Sequence, residues 1–430
     1  MLKFHGDAIV LSGATGTKLK CEILGEYYNA WWGITSGGES KQNRLATSII
    51  ELNAGSSEDY IEETGETIPG SSGHALELKL NREATSKLKV ILVEEDNECF
   101  DHLKSVIGRK WAGLDITKAE GPASANDTGV FLLSSSLDDA IDTIEGIPLG
   151  NSLFFFDPLL YVPWGEIERV ARKRIKAYYL PRTEFIVFLF TSDWFVGRPK
   201  LGVAPLPRRI EASAWDKNEQ ESVSKMDNLF GMKSWREEIL TNESDKQRGD
   251  KLVAAYRRRL HKWFRYVVPM PFKPRDGQLY HLFMCSNYEL GITLTKRFYS
   301  EYTRNDIYSP DNTAAFARFK AAHPNFTKLY SGNHRPLAWK MLWAVIRNHE
   351  EGLCDIRCDD FRGFEENWQV RLAALQTLQV FGYLTKEEPL TDAWPDTVPL
   401  YRLDWDVVQK YLGIRPPKPL SPLEPKVPVS

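Results

Sequence analysis

The chain has 430 residues, 42% hydrophobic and 26% charged, which is enough for a large core and suggests about two to three domains. A formal net charge of −3 argues against attraction of the whole protein to nucleic acid or anionic membrane, while leaving local basic faces open. The apolar runs are too short to cross a bilayer, residues 1–13 hold no signal-peptide core, and an odd count of five cysteines points to a reducing cytoplasm.

Residues 18–32 carry Leu19, Ile23, Leu24, Tyr27, Tyr28 and Trp31 at helical spacing, as an amphipathic helix packed on a sheet does. A polar loop follows over 36–42. Residues 45–53 read as a strand that runs into Ala54-Gly55-Ser56-Ser57. A Gly/Ser turn after a strand lets backbone N–H groups approach a ligand closely. A second cluster, Gly70-Ser71-Ser72-Gly73, precedes a helix over 74–80. Taken alone, each cluster reads as a plain turn before it reads as a ligand loop.

Residues 88–93 are a second strand, ending in Glu94-Glu95-Asp96. An acid in that place either accepts hydrogen bonds from ribose hydroxyls or is a solvated strand end. A helix follows over 98–107, then a polar, small-residue stretch over 110–127 and an acidic helix over 137–145. Residues 151–157 (NSLFFFD) read as a strand buried on both faces, with Asp157-Pro158 at its tip. Ligands in open α/β sheets bind at the carboxyl ends of strands, so Asp157 is the leading candidate for chemistry. It reads equally as a helix cap or a cofactor contact. A basic helix over 165–177 and a strand over 183–190 come next, the strand ending before Asp193 and Trp194. Strands alternating with helices predict a doubly wound α/β sheet.

Residues 202–225 look like an insertion or lid, and 202–250 as a whole like an insertion. A helix over 250–263 contains Tyr256-Arg257-Arg258-Arg259. Apolar stretches at 266–271 and 279–286 flank the turn sequence Lys273-Pro274-Arg275-Asp276-Gly277, as in an antiparallel hairpin. The basic-aromatic stretches 169–179 and 256–266 suit either a nucleic-acid groove or solvated helix faces. Helices over 336–348 and 368–381, the run Phe381-Gly382-Tyr383-Leu384-Thr385 and a strand over 398–403 have the order of a winged helix. Cys354 and Cys358 with His349 lack the second ligand pair that zinc needs, so no metal is expected. Trp164 and Trp194 are candidates for either a pocket wall or the core. The expected domains are 1–310, 311–415 and a proline-rich tail over 416–430.

Several stretches together resemble the three-Cys-motif partner family: TKLKCEILGEYYNAWW, IIELNAGSSEDYIEETGETIPGSSGHALEL, VILVEEDNECFDHLK, FFFDPLLYVPWGEI, MDNLFGMKSWREEIL and AAYRRRLHKWFRYVVPMPFKPRDGQLYHLFMCSN. Their order and spacing carry the resemblance over about residues 14–300. It implies a Rossmann-like methyltransferase sheet that binds S-adenosylmethionine, and a partner protein bearing a three-cysteine, radical-SAM-like motif. It places Glu51, Asn53, Gly55 and Ser56 in the cofactor loop and makes Glu94 the ribose-binding acid. Asp157 and Pro158 match the post-strand acid and proline of an Asp/Asn-Pro-Pro-aromatic tetrad that orients a target amine. Leu159 and Leu160 stand where that tetrad has its second proline and aromatic, and Tyr161 follows one place later. The expected function is a methyltransferase acting on nucleic acid or a related substrate, with Asp157, Pro158 and Tyr161 at the acceptor. The alternatives are a non-catalytic scaffold subunit of a radical-SAM-like or phage-defence complex, and a DNA-binding regulator.

Overall fold

A computed structural model describes residues 4–11, 15–36, 46–62, 64–82, 87–114, 116–118, 128–147, 149–158, 161–175, 182–199, 202–272, 279–303, 313–324, 337–349, 356–357, 368–387 and 400–414. Leu159, Leu160, the 273–277 turn, Cys354, Cys358 and the 416–430 tail lie outside the described residues. The chain forms two compact units, Met1–Asn287 and Tyr288–Ser430, whereas the sequence placed the division near 310.

In the first unit the strands are β1 (Phe4–His5), β2 (Ala8–Leu11), β3 (Thr47–Leu52), β4 (Glu58–Ile61), β5 (Glu66–Pro69), β6 (Leu88–Glu94), β7 (Ile116–Lys118), β8 (Gly129–Ser134), β9 (Ser152–Phe156), β10 (Thr183–Phe190), β11 (Tyr266–Phe272) and β12 (Tyr280–Ser286). The helices used below are α1 (Thr15–Ser36), α2 (Ser71–Asn81), α3 (Asn97–Lys110), α4 (Leu137–Gly146), α5 (Trp164–Arg174), α6 (Asp193–Val196), α7 (Lys217–Phe230), α8 (Trp235–Ile239) and α9 (Asp245–Leu260).

An eight-stranded sheet runs in the order β11-β12-β10-β9-β3-β6-β8-β7. Only β12 is reversed, antiparallel to both β10 and β11. The dinucleotide-binding Rossmann order ends 4-5-6. Here a reversed strand stands between the fifth strand and the edge, which is the Rossmann-like methyltransferase arrangement expected from the sequence. The chain moves outward from β3 through β6 to β8, then returns to build β9 and β10 on the other side. The switch point therefore lies between β3 and β9, where α/β sheets open their ligand crevice.

Every residue of β3, β6 and β9 is buried, which is why these strands read as near-continuous apolar runs. Side chains alternate between faces. Ile50, Leu52, Ile91, Phe154 and Phe156 enter one core with α4, α5 and α7–α9. Phe185 meets Phe154 and Phe156 edge-on at 5.5 and 5.2 Å. Burying each such ring contributes about 1.5–3 kcal/mol. Glu51, Phe155 and Asp157 alternate to the opposite face, toward α1 and α2.

Residues 202–225, which had the look of an insertion or lid, pack with the rest of the 202–250 segment on the main core. Leu206, Trp215, Val223, Met226, Leu229, Phe230 and Trp235 all join the main core. Capping boxes at Asp216/Glu219 and Ser244/Gln247 start α7 and α9. Buried Arg248 ties the segment down, donating to the carbonyls of Ile239, Leu206 and Pro207 at 2.9, 3.1 and 2.7 Å.

The second unit has helices Glu289–Thr303, Thr313–Ala322, Leu337–His349, Trp368–Val380 and Trp405–Leu412. Its antiparallel strands β13 (Ile356–Arg357), β14 (Leu384–Glu387) and β15 (Leu400–Leu403) stand in the order β13-β15-β14. Phe319, Trp339, Leu342, Leu375, Leu378, Tyr383 and Tyr401 fill its core. Gly382, at φ +81°, ends the Trp368–Val380 helix and turns the chain into β14. Among the described residues no helix is long and apolar enough to cross a membrane.

Candidate functional site

The turn after β3 is held in an uncommon backbone conformation. Asn53, Gly55 and Ser57 have φ of +74°, +61° and +65°. Left-handed backbone is free for glycine, tolerated by asparagine and strained for serine. Specific hydrogen bonds hold the turn in place. The N–H groups of Asn53 and Ala54 both donate to Val93 O, at 3.0 and 2.8 Å. Gly55 N–H donates to Glu94 Oε2 at 2.8 Å, Ser56 Oγ to Glu58 O at 2.8 Å, and Ser72 Oγ to Ala54 O at 2.7 Å.

The two Gly/Ser clusters, separate in sequence, form one site. After Ser57 the chain makes the β4–β5 hairpin and returns at Gly70 to begin α2. Gly70 N–H donates to Ser57 O at 2.9 Å, and the Ser57 and Ser72 hydroxyls are 2.7 Å apart. A Cβ added to Gly73 would lie 2.5 Å from Ser57 O, so only glycine allows this approach. The N-terminus of α2 has no side-chain cap. The turn has a strand–turn–helix form, with a hairpin spliced into it, of the kind that can cradle a phosphate or nucleotide. The N-terminal strands cover it: β2 pairs with β4, and Ile9 Cδ1 would meet a Cβ on Gly55 at 3.2 Å. Asp7 fastens this cover to α3 through His102 (2.9 Å), Ser105 (2.9 Å) and Arg109 (2.6 Å).

Acids surround the turn. Glu51 is fully buried; its Oε1 accepts from the Ser71 hydroxyl, and its Oε2 has no hydrogen-bond partner among the described residues. Asn53 Oδ1 is likewise buried without a partner. Burial pushes the Glu51 carboxyl well above its usual range, with the Ser71 donor opposing. Burial also raises Glu94, against the backbone N–H groups of Asp96 and Gly55 that it accepts. Asp59, on β4, is pushed up to about 6 by burial; Lys20 opposes the rise and Asp157 adds to it.

Asp157 is not open. Its Oδ2 accepts from Lys20 Nζ at 2.7 Å, and the two side chains are only 18% and 10% exposed. The Lys20 ammonium also lies 4.9 Å from the Phe188 ring centroid and 5.8 Å from that of Phe155. Burial works against its charge, yet the Asp157 carboxylate holds it above the ordinary lysine range.

Glu51, Asn53, Gly55, Ser56, Glu94 and Asp157 therefore meet at the carboxyl ends of β3, β6 and β9. Pro158 is buried. Tyr161 instead packs against Trp194, with ring centroids 5.7 Å apart. Trp164 and Trp194 are core residues, at 1% and 0% exposure. Asp193 is buried and pairs with Arg198 at 3.1 Å. Several described residues of the basic stretches are engaged within the unit. Arg169 pairs with Asp138 and Asp142, Lys262 pairs with Glu168, and Arg259 donates to Phe230 O while lying over Trp164.

Sequence reasoning missed Lys20, Ser57, Asp59, Ser71 and Ser72 as site residues. Lys20 had a signal, since it stands in phase with Leu24, Tyr27 and Trp31 on the apolar stripe of α1.

No protein-family profile matches the chain. No curated protein matches it. Among solved structures it is similar to Trm1 from Pyrococcus horikoshii bound to S-adenosyl-L-methionine, at 9% identity over 67% of this chain and 62% of that one, with a TM-score of 0.32. The plantazolicin methyltransferase BamL, in complex with a triazolic desmethylPZN analog and SAH, matches at 9% identity over 62% and 86% of the two chains, with a TM-score of 0.26. The human methyltransferase 10 domain containing protein matches at 10% identity over 62% and 83%, with a TM-score of 0.24. The fold rests on this chain's own strand order, with β12 reversed between β10 and β11.

Proposed function

We propose that the first unit binds S-adenosylmethionine at the carboxyl ends of β3, β6 and β9 and serves methyl transfer. The observation that carries this reading is the pair of buried acceptors, Glu51 Oε2 and Asn53 Oδ1, without donors among the described residues beside the split glycine turn. A buried acceptor without a donor costs about 1–3 kcal/mol. A ligand that brings N–H donors and positive charge removes that cost, and the ammonium of a methionine moiety brings both. Glu94 would face the ribose. Each of its oxygens already accepts one backbone N–H, and a carboxylate has lone pairs left for hydroxyls. When bound, the cofactor supplies an electrophilic methyl group on a sulfonium.

The acceptor in this reading is nucleic acid or a related substrate, and a three-cysteine-motif protein is the partner, both in the cytoplasm. The ordered resemblance over about residues 14–300 supports the partner. The helix–strand–strand order of Trp368–Val380, β14 and β15 supports a winged-helix reading of the second unit. Free, buried Cys21 and Cys99 fit a reducing compartment.

One observation favours a second reading, a non-catalytic partner subunit. Asp157, the candidate for orienting an acceptor, is already paired with Lys20. Two experiments separate the readings. Calorimetry of the full chain with S-adenosylmethionine should show binding that Glu51→Ala and Asn53→Ala weaken. No heat at millimolar ligand would overturn the cofactor reading. If binding holds, radiolabelled methyl transfer to bulk tRNA or DNA, with and without the partner, decides between enzyme and scaffold.

A further inference from the structure

We propose that Asp59 reads the charge of the cofactor, so that this site holds the sulfonium of S-adenosylmethionine in preference to the neutral thioether of S-adenosylhomocysteine. The inference rests on the cofactor reading above and assigns a specificity-determining residue to it.

The argument begins with which charges are already engaged. Glu51 takes the Ser71 hydroxyl, and Glu94 takes two backbone N–H groups. Glu58 pairs with Arg109 and Lys110, and Asp157 pairs with Lys20. Asp59 differs from all of these. Its carboxylate makes no hydrogen bond or ion pair with any described residue. It is carried on β4, in the hairpin spliced into the glycine turn, and its Oδ2 would lie 3.5 Å from a Cβ on Gly70 at the start of α2. It shares a field with Lys20 and Asp157. The Lys20 ammonium is committed to Asp157 at 2.7 Å, so the negative charge of Asp59 has no cation of its own there.

A second, independent observation points to a cationic ligand in the same place. Glu51 Oε2 is wholly buried with no donor, and Glu51 also interacts with Asp59, Asp157 and Lys20. With Glu51 and Asn53 taking the ligand's ammonium, a sulfonium in this cleft would meet the Asp59 carboxylate, which has no cation of its own. On methyl transfer the S–CH3 bond breaks and its electron pair stays on sulfur. The acceptor's lone pair forms the new bond to carbon, and the acceptor's proton passes to water. The cofactor thereby loses its positive charge, and Asp59 loses the partner that favoured retention. The geometry thus favours release of the product over its retention.

The test is calorimetry on the full chain at neutral pH with three ligands: S-adenosylmethionine, S-adenosylhomocysteine and sinefungin, which carries an ammonium where the sulfonium stands. The two cationic ligands should bind about tenfold more tightly than the thioether, as expected for one partly screened charge pair. In Asp59→Asn and Asp59→Ala the ratio should fall toward one. Glu62→Gln removes an exposed charge from the same hairpin and should leave the ratio unchanged.

Any one of these results would overturn the inference: thioether binding as tight as S-adenosylmethionine in the wild type, an unchanged ratio in both Asp59 variants, or an equal fall in Glu62→Gln. The wild-type comparison decides even if the Asp59 variants do not fold. Sinefungin as weak as the thioether would also overturn it, because the preference would then belong to the methyl group and not to charge. Failure of all three ligands to bind overturns the cofactor reading itself, and so is distinct from failure of the charge preference.

Discussion

Replacing Lys20 with methionine removes the only cation among the described residues that pairs with Asp157. The ammonium sits 2.7 Å from Asp157 Oδ2, and both side chains are largely buried. Breaking a buried pair by removing one partner costs about 3–5 kcal/mol. The partial exposure of Asp157 favours the lower end. Loss of the contacts with Phe188 and Phe155 adds roughly 0.5–1 kcal/mol. Methionine recovers part of the packing, so the expected loss is about 3 kcal/mol. Removing both charges in Lys20→Met/Asp157→Asn leaves neither member of the pair as an unpaired ion. The double variant should therefore be more stable than Lys20→Met alone, within about 1–2 kcal/mol of the wild type. Urea unfolding followed by tryptophan fluorescence measures this, with the slope unchanged across the set. A single-variant loss below about 1 kcal/mol, or a double variant no more stable than Lys20→Met, would refute the reasoning.

Gly73→Ala should cost about 2 kcal/mol or more and weaken ligand binding, because its Cβ would fall 2.5 Å from Ser57 O. Gly108→Ala, within α3 and with nothing within 4 Å of its Cβ, should instead stabilise by about 0.5–1 kcal/mol; equal melting shifts in the two variants would contradict this. The folded Asp59 carboxyl stands near 6 against an ordinary 3.8, so its contribution is present below its unfolded pKa and lost as pH rises through about 6. Asp59→Asn should therefore stabilise the protein by about 1–2 kcal/mol above pH 6, after discount for solvent screening, and not below pH 4; a pH-independent difference would count against it. Binding of a cationic ligand near pH 6 should release protons from Asp59, read as a calorimetric enthalpy that changes with the buffer; buffer-independent heats would contradict the link. Arg248→Met should lower stability by about 3 kcal/mol, since three buried carbonyls lose their donor, and a melting temperature near that of the wild type would rule this out.

The strands that carry the site were legible because burial on both faces leaves an unmixed apolar signal. β3, β6, β9 and β10 all read this way, and the acids at their ends could be placed from that alone. β8 (GVFLLS) is mostly buried, but it lies beyond a polar, small-residue stretch and has no expected element over it. The split turn was hidden by its hairpin. In β4 and β5 only Ile61 and Ile68 form a small apolar cluster, so the alternation that marks a strand is faint. Two glycine clusters then look unrelated, although Ser57, Gly70 and Gly73 touch in space. The core packing of the 202–250 segment was hidden for a related reason. Its core residues stand singly among prolines and charges, and only tertiary packing brings Leu206, Trp215 and Trp235 together. Lys20 shows the reverse case. Its position on an apolar stripe was visible, but nothing local tells which acid a buried lysine will meet.

The most direct measurement is a crystal structure of the full chain grown with S-adenosylmethionine. The account expects the ligand's ammonium within about 2.7–3.2 Å of Glu51 Oε2 and Asn53 Oδ1, with its sulfonium facing Asp59. Ligand bound elsewhere, or a β3–α2 turn whose buried oxygens meet only water at saturating ligand, would contradict it.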